Sequence, residues 1–147
     1  MAKVGKKKPK NTPSEERVKN AVVGHIASQG YAKDLVIKAN DEHGVDISAK
    51  HRTSTARRIF IEAKGHSGSG NKTLAIEIAW GQLCSRVTAV NRNRIHGLAF
   101  PSSWETNVSK LSSRLVASYI NCHFYFVSDG GNVSEYTAVQ FAKKHKK

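Results

Sequence analysis

Asp46 and, after fifteen intervening residues, Glu62-Ala63-Lys64 are the residues of this chain whose types and spacing could do chemistry. In an extended strand Glu62 and Lys64 point the same way, while Ile59, Ile61 and Ala63 take the other face, toward a core. Asp46 follows Gly44-Val45 at the head of a second apolar run. If the two runs pair as neighbouring strands, Asp46 lies beside Glu62. Two adjacent carboxylates repel, and the arrangement is costly without a cation. A hard divalent ion relieves that repulsion. Mg²⁺ commonly takes one or two protein carboxylates together with substrate phosphate, and Mn²⁺ is the expected substitute. A lysine one step beyond can hold an attacking water and offset charge developing at phosphorus.

The elements that must position these groups are legible as patterns. Ser14 is a good N-cap with Glu15 and Glu16 in the first turn behind it. Val18, Ala21, Val22, His25 and Ile26 recur at helical spacing, and Gly30 is a natural stop. Leu35–Ile37, Val45–Ala49 and Arg58–Lys64 read as strands, with the polar stretch Lys50–Arg57 as a hairpin connection. Gly65–Asn71 is a loop by composition, and it lacks the GK[ST] ending of a phosphate-binding Walker loop. Thr73 is expected to cap a second helix carrying Ile76, Trp80, Leu83, Val87 and Val90. Ile95–Phe100 is a fourth strand. Trp104–Ile120 is a third helix with Val108, Leu111, Leu115 and Tyr119 on one side. Phe124–Val127 and Val133–Tyr136 are strands around the turn at Asp129–Asn132. The order αβββαβαββ predicts an α/β fold, a mixed sheet flanked by helices.

Charge narrows the partner. The 147 residues carry 24 Lys and Arg against 11 Asp and Glu, a formal net charge of +13. Five lysines in residues 1–10 and four in 143–147 account for nine of those charges, so the body is only mildly basic. This predicts one folded region over residues 14–142 between basic tails at 1–13 and 143–147. The tails are suited to gripping phosphates without reading bases. Nucleic acid is the expected partner. Arg52, Arg57, Arg58, His66, Lys72 and Arg86 are candidate phosphate contacts, as are Arg92, Arg94 and His43. No apolar run reaches the length of a membrane span or forms a secretory signal, and two cysteines do not make a disulfide scaffold. A cytoplasmic setting with no membrane partner is therefore expected. The seven histidines include no pair at a metal-ligand spacing such as HExxH.

Asp46 followed by Glu62-Ala63-Lys64 resembles the PD-(D/E)XK signature of the restriction-endonuclease-like superfamily. Gly44-Val45-Asp46 and Ile61-Glu62-Ala63-Lys64 look closest to small Holliday-junction-resolvase-type enzymes and related restriction nucleases. The resemblance spans roughly residues 14–100, and the residue before Asp46 is Val45 where the full signature has proline. It implies an αβββαβ core and a Mg²⁺-dependent endonuclease acting on duplex or branched DNA. It also implies that Asp46, Glu62 and the Ala63 carbonyl hold the ion, and that Lys64 positions or deprotonates the attacking water. A 5′-phosphate product follows. Glu16 is the expected further acid from the first helix, with Glu15 second, and Gln82 the expected polar group from the second helix. A homodimer is expected, since cutting two strands takes two sites. Two other readings stay open on the sequence: a non-catalytic basic nucleic-acid-binding protein, and a nuclease of the same fold that cuts RNA.

Overall fold

The computed structural model describes residues 12–39, 44–67 and 70–146. The lysines of residues 1–10, His43 and Lys147 lie outside them. The elements in chain order are α1 (Glu15–Ser28), β1 (Tyr31–Ile37), β2 (Ile47–His51), β3 (Ser54–Ala63), α2 (Lys72–Ser85) and β4 (Arg94–Pro101). A 3₁₀ turn at Ser102–Trp104 leads into α3 (Glu105–Leu111), α4 (Arg114–Tyr119), β5 (Cys122–Val127), β6 (Val133–Thr137) and α5 (Ala138–Lys144). The fold is α/β: one mixed sheet in the order β1-β2-β3-β4-β5-β6, flanked by helices. The β3–β4 and β4–β5 pairs are parallel and the other three antiparallel.

Strand alternation divides the core between the two faces. On one face Val18, Val22 and Ile26 of α1 pack on Ile47, Ala49, Ile59, Ile61, Ala63, Ala99 and Tyr125. On the other, Ile76, Ala79 and Leu83 of α2 join Leu98, Phe100, Phe124, Phe126 and Phe141. Central strands β4 and β5 contribute to both faces, which is why they read as unbroken apolar runs. The far end of α1 is tied to the sheet by Glu135 of β6. Its carboxylate meets His25 Nε2 at 2.8 Å and His123 Nδ1 at 2.7 Å, and accepts from Gln29 Nε2 at 2.8 Å.

Burial by itself raises the Glu135 pKa, but the hydrogen bonds from His123, His25 and Gln29 overcome it and bring the group down to about 2. The unfolded chain therefore takes up this proton first on acidification. Stabilisation from Glu135 is complete above its ordinary value near 4.5 and is lost as pH falls toward 2. We expect urea unfolding of wild type to lose up to about 3 kcal/mol over that window, a component that Glu135→Gln lacks.

Several elements differ from the sequence expectation. The helix expected over Trp104–Ile120 is broken at Ser112 and Ser113, both extended. Ser113 Oγ accepts from Val116 N–H at 3.3 Å and caps α4 anew. The break resets the helical phase: Leu115 and Tyr119 are 84% and 73% exposed, and Ala117 and Ile120 face the core instead. Asn71, not Thr73, caps α2, and Val87 and Val90 lie past its end. Only Arg52 and Thr53 form the turn between β2 and β3, because pairing continues to His51 and Ser54. The first strand begins at Tyr31. Helix α5 was not expected, and it takes Lys143 and Lys144 out of the basic tail. Its one buried apolar residue, Phe141, gives no period to read. Its sequence signal is the capping box of Thr137 and Gln140. No helix among the described residues is long and apolar enough to cross a membrane, and both cysteines are free.

Candidate active site

Antiparallel pairing of Ile47 with Ile61 brings Asp46, just ahead of β2, beside Glu62, and the two carboxyls come within hydrogen-bond reach. Asp46 is fixed there by its own backbone partner: Ala63 N–H donates to Asp46 Oδ2 at 2.7 Å. Glu62 is 1% exposed. Burial, reinforced by the Asp46 carboxylate beside it, pushes Glu62 up to about 7, although the hydrogen bond and charge of Arg86 pull the other way. The two carboxylates are thus neighbours, as expected if the two runs paired, and the pair carries the electrostatic cost that such neighbours imply.

Lys64 follows directly. Its Nζ stands 3.6 Å from Glu15 Oε1, at the first residue of α1. The loop after β3 makes this meeting possible. His66 N–H donates to Pro13 O at 2.9 Å, and a Cβ on Gly65 would sit 2.2 Å from Glu15 N and 2.3 Å from the Ser14 carbonyl carbon. Only a glycine lets the two backbones approach so closely. Gly65→Ala is expected to separate them, with a stability loss of about 1–3 kcal/mol by thermal unfolding and displacement of Glu15 from Lys64.

The acid brought to the site from the first helix is therefore Glu15, not Glu16. Glu16 is exposed and lines a cleft with Lys19, Asn20 and Lys38. Successive helical residues are about 100° apart, so only one of the pair can face β3.

Two further cations stand at the site, Lys19, which the sequence reading did not name, and Arg86, which it placed on phosphate. Lys19 is 4% exposed, donates to Lys38 O at 2.9 Å, and lies 3.8 Å from both Glu15 Oε2 and Asp46 Oδ1. Its signal in the sequence is the i,i+4 spacing from Glu15. Arg86, expected as a phosphate contact, instead directs Nη1 onto Glu62 Oε1. No sequence signal joins a residue at the end of α2 to one in β3. Gln82 sits one turn before Arg86 on the same side of α2 and is half-buried.

Of the remaining basic candidates, His66 and Lys72 line one cleft with Gly65, Ser67, Asn71 and Trp104, beside the loop that follows Lys64. Arg52, Arg57 and Arg58 lie toward the other end of the β2–β3 hairpin. At about 3.3 Å per residue Arg52 is roughly 25 Å from Glu62. Arg57 stacks over the Tyr31 ring at 5.7 Å, and Arg58 Nε donates to Thr55 O at 3.3 Å. Arg57 and Arg58, as consecutive residues of β3, point to opposite faces of the sheet.

Compared with family models, curated proteins and solved structures, the chain matches none.

The donor set suits a hard cation. Asp46 and Glu62 offer oxygens only, side by side, and their mutual repulsion is what a divalent ion removes. No group of three or more His, Cys, Asp or Glu side chains able to hold a metal occurs among the described residues.

Proposed function

We propose that this chain is a Mg²⁺-dependent endonuclease of the PD-(D/E)XK type that hydrolyses DNA phosphodiester bonds, on duplex or branched substrates, as a homodimer in the cytoplasm. The observation that carries the reading is the adjacency of the Asp46 and Glu62 carboxyls, one of them buried at a net electrostatic cost, with Lys64 directly after the end of β3. A strand face kept only for stability would not retain that repulsion.

In this reading Asp46, Glu62 and the Ala63 carbonyl would hold the ion, which when bound would polarise the phosphate and neutralise the two carboxylates. Ala63 N–H keeps Asp46 Oδ2 fixed, so the Oδ1 side is presented. Lys64 Nζ, steadied by Glu15, donates to the water or to a phosphate oxygen and offsets the charge that grows at phosphorus. Water oxygen bonds to phosphorus, the bond from phosphorus to the 3′ oxygen breaks, and the water's proton ends on that oxygen. The products are a 5′-phosphate and a 3′-hydroxyl. Gln82 stands ready to orient water from α2, and His66 and Lys72 to hold a flanking phosphate.

One observation favours the non-catalytic reading. Glu15, Asp46 and Glu62 each have a cation beside them, in Lys64, Lys19 and Arg86. Incubation of purified protein with supercoiled plasmid, a four-way junction and single-stranded RNA, with and without Mg²⁺, decides between them. Metal-dependent cleavage of DNA is expected. Binding without cleavage in Mg²⁺ or Mn²⁺ would leave a basic nucleic-acid-binding protein, and cleavage of the RNA alone would reassign the substrate.

A further inference from the structure

Arg86 is the C-cap residue of α2, where the helix's terminal carbonyls favour a cation. Its guanidinium reaches Glu62 Oε1 through Nη1. Glu62 is 1% exposed, whereas the Arg86 side chain is 26% exposed, so one partner is fixed in the core and the other reaches solvent. A guanidinium has five N–H donors in a planar fork that fits a phosphate as well as it fits a carboxylate.

We propose that Arg86 is a substrate-operated gate on the metal site. It holds Glu62 when nucleic acid is absent and moves onto a substrate phosphate when nucleic acid binds, which frees the Glu62 carboxylate for the divalent ion. The proposal rests on the nuclease reading above and adds to it a coupling between the two ligands. While Arg86 engages Glu62, a divalent ion must displace it to use that oxygen, and two cations on one carboxylate repel. A phosphodiester offers the guanidinium an equivalent anion at the moment the metal is needed. Metal and nucleic acid then bind cooperatively, and by linkage each strengthens the other by the same factor. Lys19 is no substitute for this role. It is 4% exposed and its Nζ is held on the Lys38 carbonyl, with no route to solvent comparable to that of Arg86.

The test measures Mn²⁺ affinity by electron paramagnetic resonance of the free ion, which needs no turnover. Wild type, Arg86→Ala and Arg86→Lys are titrated alone and with a short duplex whose linkages are phosphorothioate, so that cleavage does not intervene. Arg86→Ala is expected to bind Mn²⁺ roughly tenfold or more tightly than wild type in the absence of duplex, the size of one charge-assisted hydrogen bond. Duplex is expected to tighten Mn²⁺ binding to wild type by a similar factor and to change Arg86→Ala little. Arg86→Lys keeps the charge without the fork and is expected to fall between them; it also guards against misfolding of the alanine variant. Equal Mn²⁺ affinity for wild type and both variants, or a duplex effect that survives in Arg86→Ala, would overturn the gate while leaving the nuclease reading intact. Absence of Mn²⁺ binding to every variant, with no cleavage of unmodified DNA, would sink the nuclease reading itself.

Discussion

Lys64→Ala is expected to lower the rate of Mg²⁺-dependent DNA cleavage by about 10²–10⁴-fold, the range seen when a positioned proton donor or charge stabiliser is removed from a reacting centre. Affinity for DNA should change by less than about tenfold, because one cation is one phosphate contact among several. Stability should hardly move. Lys64 is partly exposed, and its ion pair with Glu15 is worth under about 1 kcal/mol. Lys64→Arg makes the experiment sharper, since the fork restores the charge but not the compact donor. Binding should return to the wild-type value with the rate still depressed. Single-turnover cleavage and filter binding on the same preparations read the two quantities separately. Equal rates for wild type and Lys64→Ala would remove Lys64 from the chemistry.

Glu62→Gln is expected to abolish cleavage and to make the protein more stable. The folded-state pKa of about 7 lies above the ordinary 4.5, so the folded chain holds this proton more tightly than the unfolded one. Stability is therefore lost as pH rises from about 4.5 to about 7, and the loss is complete above that. Glutamine never ionises and escapes the cost. Unfolding at pH 8 should show Glu62→Gln more stable by about 2–3 kcal/mol, and unfolding at pH 4 should show no gain. Arg86 does not reverse the sign, because its partly exposed guanidinium keeps water when its partner is neutral. A loss of stability at pH 8 would mean that the bond to Arg86 outweighs burial. A stabilised but inactive variant is the signature of a residue retained for function.

Much of the sheet was readable because strand alternation and helical spacing are short-range patterns. Ile59, Ile61 and Ala63 are fully buried as their alternation requires, and the Ser14 cap begins α1. The broken helix at Ser112–Ser113 was misread for the same local reason. Its apolar residues kept a helical period across a point where serine side chains compete for the backbone. The choice between Glu15 and Glu16 was open to helical spacing, since Glu15 lies on the stripe of Val18, Val22 and Ile26 that packs on the sheet and Glu16 lies about 100° away; the approach of Gly65 to Ser14 and Glu15, which no spacing encodes, brings that stripe's first residue to the site.

What the sequence by itself determined is the α/β class and which side chains share a strand face, because those depend on periods of two and 3.6 residues. That Asp46 would stand opposite Glu62 was conditional on pairing, and the β2–β3 register supplied it. The tertiary structure alone decided that Lys19 and Arg86 join the carboxylates. Such neighbours meet across gaps of 24 residues and more, as Arg86 and Glu62 do. Their contact is a result of how helices dock on the sheet, which no spacing along the chain encodes.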